Sequence, residues 1–329
     1  MEEKRKVQVL LSAYNGETYI RQQMESIVRQ KDVQVHVLVR DDGSTDGTVR
    51  ILRYYESKYP AVSVRTGSRR GAAGSFFALL KMADLSYDYF AFADQDDVWH
   101  REKLARACAR LDQENGDIPL LYAGKVVCAS SDLKKKELFS YHIRREPSFG
   151  NALLENICMG CTQVFNRRLL VLAREHLPAG NVMHDWWMYL TASYFGRIVY
   201  DGHAYILYRQ HGKNQVGMHN HWGTRWMARF CRIRQMRHIR SGQAADFKIV
   251  YAKLLSDNGW KGSTKRQGDN GWRGSVKTRW DDNRRVLEWM CVYRERFGSR
   301  LALAGSRKIY RQNRLDDLIC RLLILAGFL

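Results

Sequence analysis

The strongest constraint on this chain is an alternation that fills its N-terminal third. Short, almost continuously apolar runs alternate with longer segments whose apolar residues recur at helical spacing. Residues 7–11 read as a strand, and "NGETYIRQQMESIVRQ" follows as a helix with Ile20, Met24, Ile27 and Val28 on one face. Residues 33–40 form a second strand, which leads through a turn into a helix capped by Ser44 or Asp46. A third strand over 62–66, a helix over 74–82 and a fourth strand over 87–93 continue the pattern. Strands apolar on both faces must be covered on both faces. The chain is therefore expected to be α/β, with a mostly parallel sheet flanked by helices.

Ligands of such sheets bind beyond the C-terminal ends of the strands. Carboxylates collect at two of those ends: Asp41 and Asp42 after the second strand, and Asp94, Asp96 and Asp97 in "FADQDDVW" after the fourth. Like charges this close raise one another's pKa unless a cation sits among them. The arrangement predicts a cation-binding site at the sheet edge.

Other chemistries lack their signatures. No GxxxxGK[ST] loop is present, and "SAYNGETY" stands where a dinucleotide fold would place GxGxxG. The glycine cluster "GSRRGAAGS" reads as a surface turn, with Arg69 or Arg70 available to a diphosphate. Of seven cysteines, Cys158 and Cys161 alone have CxxC spacing, and no second pair follows, so buried thiols in a reducing compartment are expected. The N-terminus has no apolar signal region, and no run approaches the roughly 20 apolar residues that span a bilayer.

The formal charge of +20 is unevenly spread. Residues 216–329 hold 24 Lys/Arg against 9 Asp/Glu, and the remainder holds 30 against 25. A polyanionic neighbour is implied for the tail. Nucleic acid would explain the charge but not the acids at two strand ends, and no RNP, helix-turn-helix or zinc pattern appears. "HWGTRWMARFCRIRQMRHIR" places Trp222, Trp226, Phe230 and Ile233 near helical spacing among arginines, as in helices that lie at membrane interfaces. A second such helix is expected over 283–297, and the repeat "DNGWKGS"/"DNGWRGS" reads as an exposed pair of Gly-rich turns.

Four stretches in order, "LLSAYNGETYI", "VRDDGSTDGT", "FADQDDVW" and "HDWW" with "YRQHGKNQVG", resemble the inverting family 2 glycosyltransferases with the GT-A fold. Within that family they resemble the bacterial rhamnosyltransferases of surface polysaccharide synthesis. The resemblance covers residues 6–217 and implies a catalytic domain over 1–217. Residues 218–329 are then a basic, largely helical extension. It implies a nucleoside-diphosphate sugar as donor, with dTDP-rhamnose favoured and UDP-sugars next. It also implies a glycan or lipid-linked glycan acceptor and a Mn²⁺ or Mg²⁺ ion on the diphosphate.

Residue by residue, the resemblance makes Asp96 a direct metal ligand and Asp94 a contact to the ribose or the metal's waters. Asp97 is a second acceptor or a helix cap. Asp41 takes the pyrimidine ring, while Ala13 and Tyr14 supply backbone and an aromatic face. Asp185 is the general base that takes the acceptor's proton, with His184 where Glu is commoner. His211 is a further metal ligand, and Arg209 and Lys213 neutralise the diphosphate. Gly160 and Thr162 lie near the acceptor. Trp186 and Trp187 read either as core or as a sugar-stacking wall. A non-catalytic nucleotide-sugar-binding protein would keep Asp41 but has no need of Asp185. The implied location is cytoplasmic, peripheral on the inner face of the cell membrane.

Overall fold

The computed structural model describes residues 4–139, 143–180, 182–211, 239–256 and 270–329. Strand β1 (Lys6–Ala13), helix α1 (Ile20–Val28), β2 (Gln34–Asp41), α2 (Thr48–Lys58), β3 (Val62–Thr66), α3 (Gly71–Met82) and β4 (Tyr89–Ala93) follow in turn. Then come β5 (Val98–Trp99), α4 (Lys103–Leu111), β6 (Leu120–Ser130), β7 (Lys136–Phe139), α5 (Phe149–Ala152), β8 (Val164–Asn166), α6 (Arg167–Glu175), α7 (His184–Phe195) and β9 (Arg197–Gln210). One sheet holds all nine strands in the order β3-β2-β1-β4-β8-β6-β9-β5, with β7 on β6.

The half read from the apolar runs is parallel throughout: β1 lies between β2 and β4, and β3 flanks β2. Beyond β4 the sheet becomes mixed, because β8 runs antiparallel to both β4 and β6 while β9 is parallel to β6. Alternation along β1 sends Val7, Val9 and Leu11 to one face, where they pack with Ile20, Met24, Leu52 and Leu104 from α1, α2 and α4. Leu10 faces the other way, into a core shared with Phe76, Phe90, Phe92 and Trp187. Both faces are covered, as strands of this composition require.

The C-terminal helices Ile239–Val250, Phe297–Gly305 and Arg314–Leu325 pack on that second core, to which Phe247, Tyr251, Leu303 and Ile324 belong. Tyr251 stacks on Trp187 with ring centroids 5.8 Å apart. The segment before the last helix is stitched down by polar contacts. Arg311 Nε donates to Glu155 Oε2 at 3.1 Å, and the Gln312 amide donates to Glu155 Oε1 at 2.6 Å. Gly150 is needed here, since a Cβ on it would lie 2.1 Å from the Lys308 carbonyl oxygen. Gly150→Ala is expected to lower unfolding free energy by about 1–3 kcal/mol, the usual cost of overpacking. Denaturant titration checks this, and an unchanged midpoint would mean the contact is not made.

Three expectations for the tail are corrected or fall elsewhere. The second copy of the repeat, read as an exposed turn, enters a helix at Asn270 that runs to Val292. Glycine disfavours helix locally, but Val286, Leu287, Met290 and Tyr293 supply a buried face that anchors the element. The helix expected over 283–297 is the end of this longer one, and a separate helix starts at Phe297. The first repeat copy and the Trp-rich stretch up to residue 238 lie outside the described residues.

Candidate active site

Register brings the strand-end residues together. Ala13 pairs with Asp41, and Leu11 pairs with Ala93, so the residues after β1, β2 and β4 share one edge. The Asp42 amide donates to the Ala13 carbonyl at 2.7 Å. Gln95, the middle residue of the Asp-Gln-Asp element, clamps Tyr14: its Oε1 accepts from the Tyr14 amide at 2.8 Å, and its Nε2 donates to the Tyr14 carbonyl at 2.9 Å. A Cβ on Gly16 would meet that Oε1 at 2.1 Å, so glycine there leaves the Gln95 amide room for this clamp. The Arg69 guanidinium lies over the Tyr14 ring, 4.4 Å from its centroid.

Asp41 and Asp42 differ in use. Asp41 accepts from the Gly43 and Ser44 amides at 3.1 and 2.9 Å and from the Ser44 hydroxyl. Asp42 forms a buried ion pair with Arg40 and accepts from the Arg70 and Gly71 amides at the start of α3. That makes Asp42 a structural anchor. Neither Ser44 nor Asp46 is the N-cap of α2: that position is Gly47, Ser44 is occupied by Asp41, and Asp46 Oδ1 accepts from the Thr48 amide at 3.0 Å one residue further in.

The Asp94–Asp97 loop carries the strongest electrostatics. Burial pushes the Asp94 carboxyl up to about 7, helped by the nearby charges of Asp96 and Asp185. Burial, then Asp96 and Asp94, raises Asp97 well above the carboxylate range. Asp97 accepts from the Arg209 amide at 3.2 Å. It does not cap the next helix, which begins only at Lys103 with Glu102 as its N-cap residue. Beneath the loop lies a cation that sequence reading missed. Lys103 is 1% exposed, its Nζ sits 3.2 Å from the Trp99 ring centroid, and among the described residues no hydrogen-bond partner reaches it. Burial pulls its ammonium down to about 7, against the pull of Cys161, Asp97 and Asp94. Its place on the buried face with Ala107 and Leu111, four and eight residues on, was the available signal.

His211 Nε2 lies 2.8 Å from Asp96 Oδ2, and its ring stacks on Tyr19 with centroids 4.9 Å apart. The two residues expected to share a metal are thus adjacent. Arg209 is a correction. Expected on the donor's diphosphate, it is 2% exposed, and its guanidinium donates to the Asp96 carbonyl at 2.8 Å and to the Ser131 carbonyl. It braces the loop from below. Lys213 lies outside the described residues.

Asp185 opens α7 and is half-buried. Its Oδ1 accepts from the Trp186 amide at 2.7 Å and its Oδ2 from the Gly160 amide at 3.1 Å. Burial raises its carboxyl to about 6 despite those bonds. His184 is buried against Phe76, with centroids 3.9 Å apart, and burial pushes it down to about 3, so it stays neutral. Asp185 alone carries charge in this pair.

Gly160 therefore touches Asp185, whereas Thr162 is buried and turns its hydroxyl to the Met159 carbonyl. Trp187 is a second correction. At 0% exposure, with Nε1 donating to the His176 carbonyl at 2.9 Å, it is core and cannot stack on a sugar. Trp186 is half-buried and bonded to the Ala152 carbonyl at 2.6 Å.

Among the described residues, two donor sets could hold a cation. Asp94, Asp97 and Cys161 have ligand atoms within 4.8 Å of one another. However, burial keeps the Cys161 thiol protonated and Lys103 already supplies positive charge there. Asp96 with His211 offers a carboxylate and an imidazole at the open side of the loop, a set suited to Mn²⁺ or Mg²⁺.

Known proteins agree with this architecture. The model of Glycosyl transferase family 2 matches residues 8–171. The dTDP-rhamnosyl transferase RfbG of Shigella flexneri is 31% identical over 220 residues, covering 63% of this chain and 73% of that protein. The UDP-Glc:alpha-D-GlcNAc-diphosphoundecaprenol beta-1,3-glucosyltransferase WfgD of Escherichia coli is 29% identical over 166 residues, covering 50% of this chain and 61% of that protein. The structure of S. aureus TarS 1-349 in complex with UDP-GlcNAc superposes with a TM-score of 0.54 over 98% of this chain and 91% of that one. Its 16% identity makes this a likeness of fold. The chain belongs to glycosyltransferase family 2, has the GT-A fold and is a glycosyltransferase that uses a nucleotide-sugar donor.

Proposed function

We propose that the protein transfers rhamnose from dTDP-rhamnose to a hydroxyl of a lipid-linked surface glycan, with inversion at the anomeric carbon. The observation that carries this reading is convergence: the Asp185 carboxylate, raised to about 6, acts on Asp94 at the same strand-end edge where Asp96 meets His211. Support for rhamnose comes from the name of the Shigella flexneri relative, and support for a lipid-linked acceptor from the diphosphoundecaprenol in the name of the Escherichia coli one.

In this mechanism Tyr14 and Asp41 hold the nucleotide base and Asp94 the ribose. Asp96 and His211 would hold a Mn²⁺ or Mg²⁺ ion, which supplies positive charge for the departing diphosphate. Asp185 takes the proton of the acceptor hydroxyl as that oxygen attacks. The amides of Gly160 and Trp186 fix the orientation of its carboxylate. Gln95, Arg209 and Lys103 keep the loop in place from within. Residues 1–217 make up the catalytic unit, and the basic region 218–329 keeps the enzyme on the cytoplasmic membrane surface near its acceptor.

Thermal unfolding against a panel of nucleotide sugars, with and without Mn²⁺, tests the donor. Ligand at a hundred times Kd stabilises the native state by about 2.7 kcal/mol. dTDP-rhamnose with Mn²⁺ is expected to give the largest shift. A larger shift with UDP-glucose would replace the sugar, and no shift with any donor would overturn the reading.

A further inference from the structure

The last two helices carry an apolar face that the other described residues leave exposed. On Arg314–Leu325, Leu315, Leu318, Leu322 and Leu325 recur at intervals of three, four and three, one stripe of a helix, and all are exposed. Leu318 and Leu322 are 55% and 57% exposed. On Phe297–Gly305, Phe297 and Leu301 are exposed one turn apart. The end of one helix meets the start of the other, since a Cβ on Gly327 would touch the Arg300 guanidinium at 2.9 Å. The opposite faces are anchored: Leu303, Cys320 and Ile324 are buried, and Arg321 pairs with Asp317 at 3.1 Å. The exposed leucines are thus surplus to the fold.

Charge decides what covers them. Residues 294–329 carry eight Lys/Arg against three Asp/Glu, and Arg294, Arg296, Arg307 and Arg314 are exposed around the stripe. A second copy of a chain with net charge +20 would be repelled. An anionic lipid surface would be attracted, and no described helix is long and apolar enough to cross a membrane. We infer that the leucine stripe of Arg314–Leu325, with Phe297 and Leu301, lies in the interfacial plane of an anionic bilayer. The inference deepens the reading that the acceptor is lipid-linked, and it places the anchor on residues whose structure is described.

The full-length protein is floated with vesicles of phosphatidylcholine alone and of equal parts phosphatidylcholine and phosphatidylglycerol. The wild type is expected to float with the mixed vesicles and less with the neutral ones. Leu318→Glu with Leu322→Glu is expected to lose roughly tenfold in partition per leucine, with unchanged melting temperature and donor binding. Arg307→Gln with Arg314→Gln is expected to lose the preference for anionic lipid. No flotation of the wild type, or flotation of the leucine variant equal to it, would overturn the proposal. So would a dimer that the leucine variant dissociates, or a fall in melting temperature showing that another part of the chain covers the stripe. A protein that binds donor but does not float fails the membrane anchor and leaves the sugar-transfer reading standing. One that floats but binds no nucleotide sugar fails the functional reading alone.

Discussion

Asp185→Asn is expected to lower kcat for sugar transfer by about 10²–10⁴-fold, the range for loss of a general base, and to leave donor affinity nearly unchanged. The amide keeps the side chain's shape and can still accept from the Gly160 and Trp186 amides, but it cannot take a proton. The pH profile adds a second signature. The wild-type carboxyl is raised to about 6, and its active form is the deprotonated one. Its rate should therefore climb as pH rises through about 6 and fall away below. The asparagine variant should lack that limb. A collapse of donor affinity in the variant would show that Asp185 binds nucleotide or supports the fold.

Asp96→Ala is expected to abolish transfer and to remove the dependence of nucleotide binding on divalent cation, with the fold intact. Asp96 is half-buried, and the side-chain contact it would forfeit is the one to His211. The bond that holds the loop runs from Arg209 to the Asp96 carbonyl, which alanine retains. Nucleotide binding measured by calorimetry with Mn²⁺ and with EDTA checks this. Activity that persists in the variant, or in the wild type under EDTA, would contradict the assignment of Asp96.

The parallel half of the sheet was legible because β1, β2 and β4 are apolar on both faces and only one architecture buries such strands. The antiparallel half was not, since β8 has three residues and β5 two, too few to show a period. In the site, Asp96 and His211 are 115 positions apart in the sequence, and the fold brings them to 2.8 Å of each other. Packing between distant segments decided the rest. Trp187 could have faced a sugar or the core, and Phe247 and Tyr251, from a helix over 50 residues on, place it in the core. Arg209 looked like a diphosphate ligand, because the groups that take up its guanidinium, the Asp96 carbonyl and the Tyr19 ring 4.5 Å away, come from segments far off in the sequence. Lys103, which lies near Asp94 and Asp97, sits on the buried face of its helix, a register already readable in the sequence.

The position of a bound ion tests the assignment of the strand-end site most directly. Crystals grown with Mn²⁺ and dTDP, measured at the manganese absorption edge, would place the ion by its anomalous scattering. The expected peak is bonded to Asp96 and His211 and to the nucleotide's diphosphate, with the pyrimidine ring at Asp41 and Tyr14. A peak held by Asp94, Asp97 and Cys161 instead, or a nucleotide bound away from the ends of β1, β2 and β4, would contradict it.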